Sequence, residues 1–173
     1  DPYSVRRAGT AYLPGLAVHH GAFHPKMMLL VSDDQATVCI GSGNLTLAGW
    51  QGNDEIWSIH TFDRDDRSSL ASQAAAWLTD LAAEPGPLRL SVGVADRLSQ
   101  AASKLKEFGG EVEAGDARLI SSLDRPIIEQ LPEGPVDDLV LYAPYHDSRG
   151  LALGALLDRF EPSLVRLAFQ ARH

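Results

Sequence analysis

His24-Pro25-Lys26-Met27-Met28-Leu29-Leu30-Val31 runs into Ser32-Asp33-Asp34-Gln35, then Ala36-Thr37-Val38-Cys39-Ile40, then Gly41-Ser42-Gly43-Asn44-Leu45-Thr46, with Glu55 further on. Two apolar runs of strand length flank a segment of turn composition, which predicts a hairpin. The first run opens with His-x-Lys and the second closes with Gly-Ser-x-Asn. In an antiparallel pair both polar clusters fall at the same end. An imidazole, an ammonium, a hydroxyl and a carboxamide then converge. That set suits a tetrahedral phosphate, with one nucleophile and several donors for its oxygens. The plainer alternative is an ordinary hairpin with polar residues at its mouth. His-x-Lys is weak evidence alone in a chain with six histidines. With Gly-Ser-x-Asn close behind it, chance at background residue usage falls to roughly one in a thousand.

These residues resemble the active-site motif of the phospholipase D superfamily, His-x-Lys, then Gly-Ser-x-Asn, then Glu. Where the usual pattern has an Asp after the Lys, this chain has Val31, with Asp33 and Asp34 nearby. The spacing is similar to that of tyrosyl-DNA phosphodiesterases, which use His, Lys and Asn without that Asp. Gly41-Ser42-Gly43-Asn44-Leu45-Thr46, Gly49 and the Asn53/Glu55 pair look more like the bacterial nuclease branch. The resemblance implies a phosphodiesterase in which His24 is the nucleophile and forms a phosphohistidine. Lys26 and Asn44 bind the non-bridging oxygens, and Ser42 is a further donor. Glu55 stands behind the histidine and accepts from its other ring nitrogen, fixing the tautomer. Alternatively, Glu55 is an exposed acid at a strand edge. No metal or other cofactor is expected, because lysine and amide groups compensate the charge.

The rest of the chain bounds this reading. Its 173 residues allow one domain with a real core, and the apolar fraction of 45% is ordinary. The net charge of −8 argues against a broad nucleic-acid-coating surface, though not against a small positive pocket. Arg6-Arg7 and Lys104/Lys106 are the tight basic pairs, and they read as solvated faces. The single cysteine, Cys39, sits in an apolar strand and reads as a buried thiol. His19 and His20 read as loop histidines near the pocket, without ligand spacing for a metal. No apolar run approaches the roughly 18 residues of a membrane span, and there is no basic-then-apolar leader pattern. A cytoplasmic protein without stable membrane anchoring is the expectation.

Outward from the motif, the periodicity predicts a weak strand over Leu13–His20 and another over Asp54–Phe62. A helix should run from about Asp66 to Ala82, capped by the preceding carboxylates, with Leu70, Ala74, Trp77, Leu78 and Leu81 on one stripe. Glu84-Pro85-Gly86-Pro87 ends it. A second helix should run from Val94 to Phe108, stopped by Gly109-Gly110. Asp138–Ala143 reads as a buried strand, Leu151–Phe160 as a helix and Ser163–Phe169 as a strand, together a parallel crossover. Because Met27–Val31 and Val38–Ile40 are apolar on both faces, the fold class expected is α/β. Its sheet should be mixed or parallel, phospholipase D-like, with helices on both faces.

The superfamily fold resembles two similar halves, each with its own His-x-Lys. By that resemblance residues 1–86 are the later part of a first half and 87–116 a connecting helix and loop. Residues 117–173 are the start of a second half, so the chain is expected to be a fragment. His146 lacks a lysine two residues on and follows the wrong strand, so the second catalytic half must come from missing sequence or a homodimer mate. Three functions compete. The first is a nuclease or nucleic-acid end-processing enzyme. The second is a lipid phosphodiesterase or phosphatidyltransferase, disfavoured by the lack of a basic amphipathic helix. The third is a catalytically degenerate dimerisation or specificity module.

Overall fold

The computed structural model describes residues 12–113 and 116–169. The polar start of the chain, with Arg6 and Arg7, lies outside the described residues. The chain forms two compact units, one ending at Leu119 and one beginning at Ile120. Both helices and strands are present, as an α/β reading requires.

In the first unit, β2 (Met27–Val31), β3 (Gln35–Gly41) and β4 (Trp57–Asp63) form an antiparallel sheet in that order. The hairpin is closed by Ser32, whose backbone N–H donates to Gln35 O at 2.8 Å and whose Oγ accepts from Gln35 N at 3.1 Å. So short a turn can only join antiparallel strands. A small second sheet pairs β1 (Ala17–Val18) with β5 (Arg89–Leu90).

Two helices cover one face of the larger sheet. α1 spans Ser69–Ala82 and α2 spans Val94–Lys106. The Asp63–Asp66 carboxylates do not cap α1; Ser68 does, accepting from Leu70 N at 3.2 Å. β4 continues through Asp63, which instead accepts from Gln35 Nε2 at 3.1 Å. Ala71, Ala74, Ala75, Leu70 and Leu78 of α1 meet Ala102 and Leu105 of α2, with Phe108 after it, in one buried cluster. Alternation along the strands sends Ala36, Val38 and Phe62 into the same cluster, with Met27, Leu29 and Val31 packed against it. The helix read as a connection thus belongs to the core of the first unit.

The expectation of helices on both faces does not hold within this unit, nor does a mixed or parallel arrangement of its main sheet. Its other face carries Met28, Leu30, Thr37, Cys39, Ile59 and Thr61. Leu30 is 55% and Ile59 64% exposed. Doubly apolar strands imply two covered faces only when the covering elements lie in the same unit, and here α1 and α2 stack on one side.

The second unit contains α3 (Ile127–Gln130), β6 (Asp138–Tyr142), α4 (Leu151–Phe160) and β7 (Leu164–Ala168). β6 and β7 are parallel, pairing Asp138 with Leu164 through Tyr142 with Ala168. The expected strand–helix–strand unit is therefore present, but β6 is not buried: no described residue of this unit is. Two strands and two short helices do not enclose a core by themselves. Asp147 caps α4, accepting from the backbone N–H groups of Ala152, Leu151 and Arg149, which hold its carboxyl below the usual range. Among the described residues no helix is long and apolar enough to cross a membrane.

Gly109 and Gly110 do more than stop α2, which already ends at Lys106. Neither has a positive φ. Gly110 N donates to Ser68 O at 3.0 Å, and Ser72 Oγ donates to Gly110 O at 2.8 Å, tying the end of α2 to the start of α1. A Cβ on Gly109 would lie 2.5 Å from Ser72 Oγ. Gly109→Ala is expected to cost about 1–3 kcal/mol through overpacking. Thermal melting should show a loss of several degrees; an unchanged midpoint would contradict the close contact.

Candidate active site

The register of the hairpin assembles the cluster. Gly41 N donates to Lys26 O at 3.2 Å, so Lys26 stands opposite Gly41, and Gly41 in turn pairs with Trp57 on β4. Residues directly opposite in antiparallel strands point to the same face. Lys26 and Trp57 therefore project on the uncovered face, with only a glycine between them. The indole of Trp57 fills that gap. A Cβ on Gly41 would come 2.5 Å from Trp57 Cδ2, and one on Gly43 2.9 Å from Trp57 Cζ2. These two glycines have no positive φ and make room for a tryptophan.

His24 precedes β2 and is exposed; Lys26 is partly buried. Lys26 Nζ lies 2.9 Å from His24 Nδ1 and 3.1 Å from His24 Nε2. The ammonium thus faces the imidazole directly. Across the β3–β4 connection, Ser42 Oγ donates to Glu55 Oε2 at 2.5 Å and accepts from Ile56 N at 3.1 Å. Ser42 N donates to Ile56 O at 3.0 Å. Asn53 Nδ2 donates to Glu55 Oε1 at 3.1 Å.

Two expected roles change accordingly. A serine hydroxyl has one proton to donate, and that of Ser42 goes to Glu55 rather than to a ligand. Glu55 is held by Ser42 and Asn53, while the partner of His24 is Lys26. Glu55 still belongs to the cluster electrostatically. The Ser42 hydroxyl, the Asn53 amide and then the Lys26 ammonium lower its carboxyl pKa, against a partial opposing effect of desolvation.

Asn44 follows on an exposed loop. Its carbonyl accepts from Thr46 N at 2.7 Å, and its backbone is pressed against Gly49, where any side chain would overlap the Asn44 carbonyl. Its carboxamide has no protein partner among the described residues. The π-turn Ala48–Gly52 returns the chain beneath this loop and sets Trp50 against Trp57, with ring centroids 4.9 Å apart. Sequence reasoning missed both Trp57 and Trp50. Two glycines two residues apart, opposite a tryptophan on the next strand, were the signal for the first.

His19, His60 and His146 make other contacts. His19 Nδ1 accepts from Gly21 N at 3.0 Å, and His60 Nε2 contacts Ser58 Oγ at 2.6 Å. His146, in the second unit, meets the Phe169 ring edge to face at 6.1 Å. An open cleft of about 780 Å³ runs beside His60 and the start of α1, lined in part by Asp66, Glu111, Glu113 and Asp116. Its carboxylates repel a phosphodiester. Among the described residues no three His, Cys, Asp or Glu side chains gather as a metal ion requires.

Ser42→Ala should raise the Glu55 pKa toward the ordinary glutamate value, because the largest lowering contact is removed. The folded pKa is below the unfolded one, so the Glu55 contribution to stability is present above the unfolded pKa and lost as pH falls through the folded pKa. Carboxyl NMR titration of Glu55 reads both. An identical Glu55 midpoint in wild type and Ser42→Ala would refute the Ser42–Glu55 bond. No family model, no curated protein and no solved structure matches this chain.

Proposed function

We propose that this chain carries the phosphate-binding and nucleophilic half of a phospholipase D-like phosphodiester hydrolase acting on nucleic acid, a nuclease or end-processing enzyme. What carries the reading is the His24–Lys26 pair, with Lys26 Nζ 2.9 Å from His24 Nδ1, on the hairpin whose other strand leads into Asn44. A diester phosphate takes up the Lys26 ammonium and the Asn44 amide through its non-bridging oxygens, releasing the imidazole. A ring nitrogen of His24 then attacks phosphorus in line. The P–N bond forms, the P–O bond to the leaving group breaks, and the departing oxygen takes a proton. Water next attacks phosphorus, the P–N bond breaks, and the water gives up its proton.

The proton donor and acceptor for these steps is a second histidine facing His24. We assign it to a second catalytic half, on a longer polypeptide or on a dimer mate. The exposed strands of the second unit agree with a sheet that more strands would complete. A lipid phosphodiesterase remains the second reading, favoured by the exposed Leu45, Leu47 and Ile56 around the loop.

Calorimetry with inorganic phosphate tests the site without needing turnover. Lys26→Met is expected to weaken binding by about ten- to a hundred-fold, the worth of one charge-assisted hydrogen bond, with the fold unchanged by circular dichroism. Undiminished affinity in that variant would count against the assignment. In the longer polypeptide or dimer that supplies the second half, cleavage of single-stranded DNA against phosphatidylcholine, lost in His24→Ala, separates the two substrate readings.

A further inference from the structure

The Trp50–Trp57 pair has no part in the phosphate chemistry, yet it adjoins it. Trp57 lies over Gly41, on the same face as Lys26 and two strand spacings from it, roughly 10 Å between backbones. The indole covers the glycine that separates them, while Lys26 Nζ is held against His24. Trp50 stacks on Trp57 at 4.9 Å with a 37° tilt and is 44% exposed. A core tryptophan pair would be shielded; this one presents indole surface to solvent beside a proposed phosphate site.

The charge of the chain sharpens the point. At net −8, affinity for a polyanion cannot come from a wide basic surface. A local phosphate contact needs a second, non-ionic term. Stacking of a base on an aromatic ring supplies one that is insensitive to protein charge and tolerant of sequence.

We infer that Trp50, backed by Trp57, is a stacking platform for the nucleobase next to the phosphate held by Lys26, so that the substrate is single-stranded nucleic acid with that base unstacked. The inference rests on the proposed function above. It goes further in naming the strand state and the specificity-determining residue. A base paired in a duplex has both faces covered by its neighbours and cannot lie on the indole. Trp57 is the support, fixed by the two glycines; Trp50 is the contact.

The test uses the full chain and three probes: inorganic phosphate, deoxyribose 5-phosphate and thymidine 3′-monophosphate. The wild-type chain should bind the nucleotide about ten-fold or more tightly than the base-free sugar phosphate. Trp50→Ala should bring the two to equal affinity, Trp50→Phe should keep most of the preference, and neither should alter binding of inorganic phosphate. Equal wild-type affinities for nucleotide and sugar phosphate would overturn the platform while leaving the His24–Lys26 site standing. So would binding of phosphatidylcholine vesicles that Trp50→Ala abolishes, which would assign the indole to a lipid surface. Failure of inorganic phosphate to bind the wild-type chain would overturn both.

Discussion

Gly41 is the position on which the site depends. It stands in the central strand, opposite Lys26 on one side and Trp57 on the other, and has no side chain of its own. Any Cβ there would strike the indole ring and the Ile56 carbonyl. The tryptophan lies flat over the gap, and the strand can continue straight into Ser42. Ser42 then bonds Ile56 through both its backbone and its hydroxyl, and the hydroxyl also reaches Glu55. One missing side chain therefore fixes the mouth of the hairpin, the entry to β4 and the setting of the carboxylate.

The cluster is electrostatically closed before any ligand arrives. Lys26 faces the imidazole, while Glu55 is satisfied by two neutral donors and sits near enough to Lys26 to feel its charge. Glu55 acts at one remove in this account, as a counter-charge and as an anchor for the loop, and not as the hydrogen-bond partner of His24.

Much of this was readable from local pattern. Met27–Val31 is predicted and found as a strand with the same bounds, and Leu151–Phe160 as a helix with the same bounds, because side-chain period and turn residues are local signals. The turn at Ser32–Gln35 follows from composition alone. What escaped the sequence is tertiary. The apolar face of β2 and β3 that α1 and α2 leave open looks the same in sequence as the face they cover. The room that Gly41 and Gly43 make for Trp57 is not readable from their identity, because a glycine making room for a distant ring and a glycine adopting positive φ share one letter. Ser42 looked like a ligand donor because its claim by Glu55 crosses a loop. β6 looked buried because five apolar-rich residues imply a covering layer, which the second unit does not itself contain.

The central claim is that His24, Lys26 and Asn44 form one phosphate site with His24 as nucleophile. A crystal structure of the full chain with tungstate, a tetrahedral phosphate mimic, tests it most directly. The account predicts tungsten bonded to a ring nitrogen of His24, its oxygens within hydrogen-bond distance of Lys26 Nζ and the Asn44 carboxamide, and the direct Lys26–His24 contact opened. Tungstate bound elsewhere, with Lys26 still against His24 and Asn44 turned away, would contradict it.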